Sequence, residues 1–266
     1  MLEQRTDRGR LGYAVLIKFF QIEGRFPFYN KEVPWSAVDF LADQLNVSAS
    51  TWLDFPLKGR SSERARTDIR TFLGFRPSTN EDSQQLQQWL TEHVVPQDQD
   101  TRHLRSVALD WCRDHHIEPP SQERIDRLIN AAVRTFEQQF FADIHRQLSP
   151  HTCQQLDQLL TTSGLDEQLL DNEQDSDWSA FSKLKTDPGR VGLNSVIKEI
   201  AKLKRLDTIQ LPEDLFAGVA IKTLERYRLR VSTESGQEIH RHPEPIRYTM
   251  LAAFCLQRRK ALIDGL

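Results

Sequence analysis

Apolar residues recur at three-to-four spacing along almost the whole chain, and that period constrains the fold more than any other feature. Val38, Leu41, Ala42 and Leu45 stand at i, i+3, i+4 and i+7, one face of a helix. The same period puts Leu11, Val15, Phe19 and Ile22 inward on a helix over residues 8–22. It puts Leu86, Trp89, Leu90 and Val94 on a helix over 81–95, and Leu104, Val107, Ala108 and Trp111 on one over 101–116. Ile125, Leu128, Ile129, Ala132, Phe136 and Phe140 continue it through a long helix after Pro119, Pro120 and Ser121. Ser149–Pro150 reads as a cap followed by Pro at the first helical position. Alternating stretches are scarce, so the expected class is all-α, a multi-helix chain.

The segment from Pro34 to Phe55 has the spacing of a helix-turn-helix. Pro34 suits a helix start, and Asn46 tolerates the left-handed conformation of a tight turn. Val47 plugs that turn. Ser48 or Ser50 can cap a short second helix whose apolar side is Trp52 and Phe55. An ordinary pair of packed helices fits the same spacing.

A basic helix follows. Residues 58–76 hold Lys58, Arg60, Arg64, Arg66, Arg70 and Arg76 against Glu63 and Asp68, a net +4. Five of these six cations are Arg, whose planar fork grips phosphate or a guanine edge at two points. Ile69, Phe72 and Leu73 supply its core face. Phosphate contacts are the main source of DNA affinity, so an Arg-rich face beside a helix-turn-helix pattern points to duplex DNA.

Charge is segregated along the chain. The total is −3, yet residues 1–76 carry +3, residues 77–182 carry −12 and residues 183–266 carry +6. Residues 161–177 hold six acidic and no basic side chains. They read as an acidic linker between a first helical domain (1–160, with the helix-turn-helix-like unit at 34–76) and a second basic helical domain (178–266). In the second domain Phe181, Leu184 and Pro188 lead into a helix with Val196, Ile197, Ile200, Ala201 and Leu203 inward. Leu211–Pro212 starts the next, with Leu224 and Leu229, and Tyr248 to Ile263 forms an apolar last helix. The 266 residues suffice for one large core or two modest ones. No stretch approaches the ~18 apolar residues of a membrane span. The first ten residues are too polar for a secretory signal, and Cys112, Cys153 and Cys255 are isolated, as in a reducing cytoplasm.

At this point RGRLGYAVLIKFFQIEGRFP, VDFLADQLNV and the Arg-rich helix ending IRTFLGFR, followed by LNSVIKEIAKLKRLDTIQLP and PEPIRYTMLAAFCLQRRKALID, resemble the N-terminal region of the Tn-three family of replicative transposases. The order and spacing of the pieces carry the resemblance. It implies helical domains that recognise the terminal inverted repeats of a transposon. It also implies that the family's Asp-Asp-Glu catalytic domain, with its two Mg²⁺ ions, lies downstream of these residues.

Within the chain itself no catalytic constellation stands out. His115 and His116 are adjacent and diverge on a helix. His240 and His242 have no ligand partner at suitable spacing, and His151 with Cys153 is poor geometry for a nucleophile and base. No catalytic residue, metal site, cofactor or small-molecule substrate is expected. The expected DNA contacts in the first lobe are Lys58, Arg60, Arg64, Arg66 and Arg70, with Ser48, Ser50 and Thr51 near the presumed second helix. Arg5, Arg8 and Arg10 would form an N-terminal arm. In the second lobe they are Lys198, Lys202, Lys204, Arg205, Arg226, Arg228 and Arg230. Double-stranded DNA at transposon ends is the expected partner, with self-association in a transposition complex. A different reading is a helical protein-interaction module that holds an acidic partner, with Phe19, Phe20, Phe26, Phe28 and Tyr29 as a docking surface.

Overall fold

The computed structural model describes residues 6–161, 180–187 and 192–265. Among these, regular structure is nearly all α-helix, with one pair of two-residue parallel strands, β1 (Arg76–Pro77) and β2 (Ile117–Glu118). The chain is all-α, as the apolar period predicts.

Helix α1 (Asp7–Glu23) has both ends fixed by local chemistry. The Thr6 hydroxyl accepts from the Gly9 amide at 3.3 Å, and Gly24 closes the helix at φ 70°. Leu11, Val15, Leu16, Phe19 and Phe20 are buried. Ile22, expected inward, is exposed; Phe20 closes the stripe instead, with its ring 4.7 Å from Phe26 and 4.9 Å from Phe75. Phe28 is likewise largely exposed, and its ring lies under the Arg25 guanidinium rather than in the core.

Gly12, mid-way along α1, is where the helix meets Phe55 most closely. A Cβ there would lie 2.1 Å from that ring. Phe55 stacks on the buried Trp52 with centroids 5.7 Å apart. Asn30 ties the pair down: its amide donates to the carbonyls of Trp52 (2.7 Å) and Phe55 (3.0 Å), and its own carbonyl accepts from the Trp52 indole at 3.1 Å.

Helix α2 (Trp35–Leu45) ends at Asn46 with φ 53°, the left-handed turn that Asn favours. The expected second helix is absent. Ala49–Trp52 forms one turn of 3₁₀ helix, and residues 53–59 run on as turns. Trp52 and Phe55 are buried as expected, but this short element is shaped by their packing and by the Asn30 bonds rather than by helical repetition.

The basic segment is a true helix, α3 (Arg60–Leu73), set between Gly59 at φ 105° and Gly74 at φ 74°. Its buried stripe is Ser62, Ala65 and Ile69, with Leu73 half-buried. Phe72 lies off that stripe and is exposed. Helix α4 (Asn80–Trp89) starts on a capping box between Thr79 and Asp82. Helix α5 (Thr101–Asp114) starts on Asp100, which accepts from two amides at 3.0 Å.

Helix α6 (Gln122–Gln147) continues the long apolar pattern, and the chain divides into two compact units within it. The first unit is Met1–Leu90 with Asp100–Ala132, and the second is Thr91–Gln99 with Val133–Leu266. The division falls between Ala132 and Val133; the expected linker at 161–177 lies, beyond Thr161, outside the described residues.

In the second unit come α7 (Pro150–Thr161), α8 (Ala180–Lys185), α9 (Leu193–Asp207), α10 (Ile221–Thr233), α11 (Gly236–His240) and α12 (Glu244–Gly265). Ser149 caps α7 by accepting from the Thr152 amide at 3.1 Å. Helix α12 is buried on every side from Arg247 to Cys255, as a central helix must be. Leu211–Pro212 does not start a helix; turns run through Leu215 and Phe216, both buried, and α10 begins at Ile221. Leu229 of α10 is exposed, whereas Tyr227 and Val231 are its core side chains. Helix α9 is rotated relative to expectation: Leu203 packs on the core beside the buried Glu199 and Leu206, while Val196, Ile197, Ile200 and Ala201 are exposed. Among the described residues no helix is long and apolar enough to cross a membrane.

Candidate nucleic-acid interface

Helix α3 divides its cations between two tasks. Arg70 donates to the Glu118 carboxylate and, at 3.0 Å, to the Thr67 hydroxyl, and its side chain is only 13% exposed. Arg66 donates to the Leu57 carbonyl at 3.2 Å and lies over the Phe26 ring, 5.1 Å from its centroid. Arg76 forms a two-pronged bond with Asp82, both contacts at 2.6 Å. That guanidinium, helped by the Thr79 amide and hydroxyl, holds the Asp82 carboxyl well below the usual carboxylate range. These three Arg side chains belong to the scaffold.

Lys58, Arg60 and Arg64 are different. All three are exposed, and none has an ion-pair or side-chain hydrogen-bond partner among the described residues. Arg60, Arg64, Thr67 and Thr71 stand at i, i+4, i+7 and i+11, one solvent-facing stripe of the helix. Thr67 and Thr71 went unnoticed in the sequence, where the Arg residues dominate the segment. Continuing the helical count from Arg60 and Arg64 finds them.

The far end of α3 is anchored. The Arg76 amide donates to the His116 carbonyl at 3.0 Å, Phe75 stacks on the His116 ring at 5.2 Å, and Arg70 meets Glu118. The N-terminal half, with Lys58, Arg60 and Arg64, is left to solvent.

The other residues expected at the interface vary. Arg5 lies outside the described residues. Arg8 is exposed. Arg10 donates to the Leu45 carbonyl at 3.2 Å, binding the end of α2 to α1. The Ser48 and Ser50 hydroxyls bond each other at 2.8 Å, and the Thr51 hydroxyl donates to the Ser48 carbonyl at 2.7 Å. They close an exposed turn and do not start a helix.

In the second unit, Lys202 donates to Glu199 at 2.7 Å and to the Thr186 carbonyl at 2.9 Å. Arg226 bonds Gln99 and lies 3.9 Å from Glu137, and Arg230 pairs with Glu234 at 2.8 Å. Arg205 is half-buried and has a partner. Lys198 and Lys204 are exposed, and Arg228 is half-exposed.

A family model described as a domain of unknown function (DUF4158) matches residues 1–132. Its last residue coincides with the Ala132 bound of the first compact unit. The chain is 22% identical over 269 residues to the transposase for transposon Tn2501 of Escherichia coli, covering 98% of this chain and 25% of that protein. It is 22% identical over 267 residues to the transposase for transposon Tn1546 of Enterococcus faecium, covering 98% of this chain and 26% of that protein. The chain is related to the N-terminal region of Tn-three family transposases. It spans about a quarter of the length of these curated relatives. Within this transposase-related region, the Cys, His, Asp and Glu side chains of the described residues gather into no group of three or more that could hold a metal ion.

Proposed function

We propose that the first unit binds duplex DNA in sequence-specific fashion at the terminal inverted repeats of a transposon, as part of DNA transposition. Lys58, Arg60 and Arg64 make the principal contacts, the Thr67 and Thr71 hydroxyls extend the same stripe, and Arg8 and the Ser48–Thr51 turn add phosphate contacts. The observation that carries this reading is the sorting of cations along the basic segment 58–76, α3 and its two flanks. Arg66, Arg70 and Arg76 are held by the fold, while the three at the N-terminal end have no internal partner. Unpaired cations at a helix N-terminus complement phosphate twice over, through side-chain charge and through the helix dipole. The similarity to two transposases supports transposon ends as the DNA in question. In the second unit Arg228 is the cation of α10 best suited to a phosphate, because Arg226 and Arg230 are engaged internally.

The test is fluorescence anisotropy at ~150 mM salt with the inverted repeat flanking the parent gene and a scrambled duplex of equal length. Tight binding to the repeat with a large excess over the scrambled duplex is expected. Replacing Lys58 by Ala is expected to flatten the dependence of log affinity on log salt by about one unit. Equal affinity for both duplexes would overturn the sequence-specific reading.

A further inference from the structure

Helix α9 has two apolar sides: Leu206 is buried and Leu203 half-buried against the core, while a second stripe faces solvent. The usual arrangement buries the apolar stripe and exposes the charges. Here Leu193, Val196, Ile197 and Ile200 are 76%, 41%, 50% and 39% exposed, and together they form one continuous stripe at helical spacing. The inward side carries an ionic cluster. Glu199 is buried and accepts from Lys202 at 2.7 Å, and its second oxygen lies 3.8 Å from Arg258 of α12. Arg258 in turn reaches Asp187 at 3.0 Å and bonds the Thr186 carbonyl.

That cluster fixes the rotation of α9. Turning the helix to bury its aliphatic stripe would pull Glu199 away from Arg258 and Lys202 away from the Thr186 carbonyl, and would lift Leu206 out of the core. The outward stripe is therefore a consequence of the fold's own polar chemistry, and four neighbouring large aliphatic side chains facing solvent mark an interaction surface rather than a scattered background.

The charges beside the stripe say what fits it. Lys204 continues the stripe one turn beyond Ile200, Lys198 stands on the neighbouring exposed side, and neither has a partner among the described residues. No exposed acidic side chain occurs on α9 before Asp207, which pairs with Arg259 at 2.6 Å. Two copies of this stripe packed on each other would set each Lys204 against apolar side chains with no anion to meet it. A DNA backbone would satisfy the lysines and leave the aliphatic side chains unmatched. An amphipathic helix with an apolar stripe and acidic flanks matches both.

We propose that α9 is a docking surface for an acidic amphipathic helix of a protein partner, with Leu193, Val196, Ile197 and Ile200 as the apolar seat, Lys204 as the charge at its end and Lys198 as the charge on the neighbouring side. This assignment takes Lys198 and Lys204 out of the DNA contacts expected from the sequence. It does not depend on the DNA reading of the first unit.

The probe is a fluorescein-labelled helical peptide with Leu at i, i+3, i+7 and i+10 and Glu on both flanks, titrated with the full 266-residue chain. Saturable binding is expected, weakened at least tenfold by Ile197→Asp. Because Ile197 is exposed, that variant is expected to keep the wild-type circular dichroism and melting temperature. The paired change Lys198→Glu and Lys204→Glu is expected to weaken the Glu peptide and to gain binding to a version with Lys flanks. Absent binding, or binding indifferent to Ile197→Asp, overturns the proposal. So does a dimer in sedimentation equilibrium that Ile197→Asp dissolves, since the occupant would then be a second copy.

Discussion

The Arg70 guanidinium lies against the Glu118 carboxylate across 48 residues of sequence, and both side chains are largely shielded, at 13% and 18% exposure. This pair takes the last Arg of α3 away from any ligand and fastens the helix to β2. Its consequence is a division between scaffold and surface cations on one helix. Arg70→Ala is expected to lower the stability of the chain by about 1–3 kcal/mol, because Glu118 loses a charged partner in a half-buried place. Its DNA affinity, measured well below the new melting temperature, is expected to change little. Arg64→Ala is expected to do the reverse: an unchanged melting temperature and about 1–3 kcal/mol of lost affinity, with relaxed preference at one base pair if the contact is to a base edge. Thermal denaturation and anisotropy on the two variants check both halves.

Gly12→Ala is a change that helix propensity alone would favour by roughly 0.5–1 kcal/mol. The expected result is destabilisation. The added methyl would lie 2.1 Å from the Phe55 ring, and that ring cannot swing away freely because it is buried and stacked on Trp52. Overpacking of this kind costs about 1–3 kcal/mol. Urea denaturation of the variant measures it, and increased stability would show that the α1–Phe55 approach is looser than described.

Asp82 gives the first unit an acid-sensitive element. Its carboxyl is held below the usual range by the Arg76 guanidinium, while burial works the other way. A group with a depressed native pKa stabilises the fold above its unfolded pKa of about 3.9 and loses that contribution as pH falls through the native value. Asp82→Asn is expected to lower the melting temperature at pH 7, where the wild type has the full contribution. The difference between the two proteins is expected to shrink as pH falls below about 4 towards the depressed native pKa. Parallel melting curves across that window would remove Asp82 from the account of acid stability.

The three thiols differ in access. Burial pushes Cys112 and Cys255 up to about 12, while half-buried Cys153 is raised by burial and by the nearby Asp157 and Glu244 carboxylates. At pH 8 all three are protonated, and access then decides the rate. A disulfide reagent is expected to label Cys153 first and to reach Cys112 and Cys255 only as fast as the units open. Replacing Cys153 by Ser is expected to remove the fast phase.

Local chemistry in the sequence was enough for the all-α class, for the left-handed turn at Asn46, for Ser149–Pro150 opening α7, and for a basic helix within residues 58–76. Each depends on neighbours within a few residues, where periodicity and capping act. The resemblance to transposases was legible for a related reason, since it lies in the order and spacing of such pieces. What only the tertiary structure decided was the direction in which each face points. Residues 48–55 have a plausible cap and two apolar side chains, yet Asn30 and the Trp52–Phe55 stack hold them as a single 3₁₀ turn. Arg66 and Arg70 are indistinguishable in sequence from Arg60 and Arg64; Phe26, Leu57 and Glu118, up to 48 residues away, separate them. In α9 the apolar period correctly predicted a helix and an inward Leu203, but misplaced Val196, Ile197, Ile200 and Ala201, which are exposed. The approach of Arg258 to Glu199 and the bond from Lys202 to the Thr186 carbonyl fixed the rotation, and contacts between separate segments leave no mark on the period of either one.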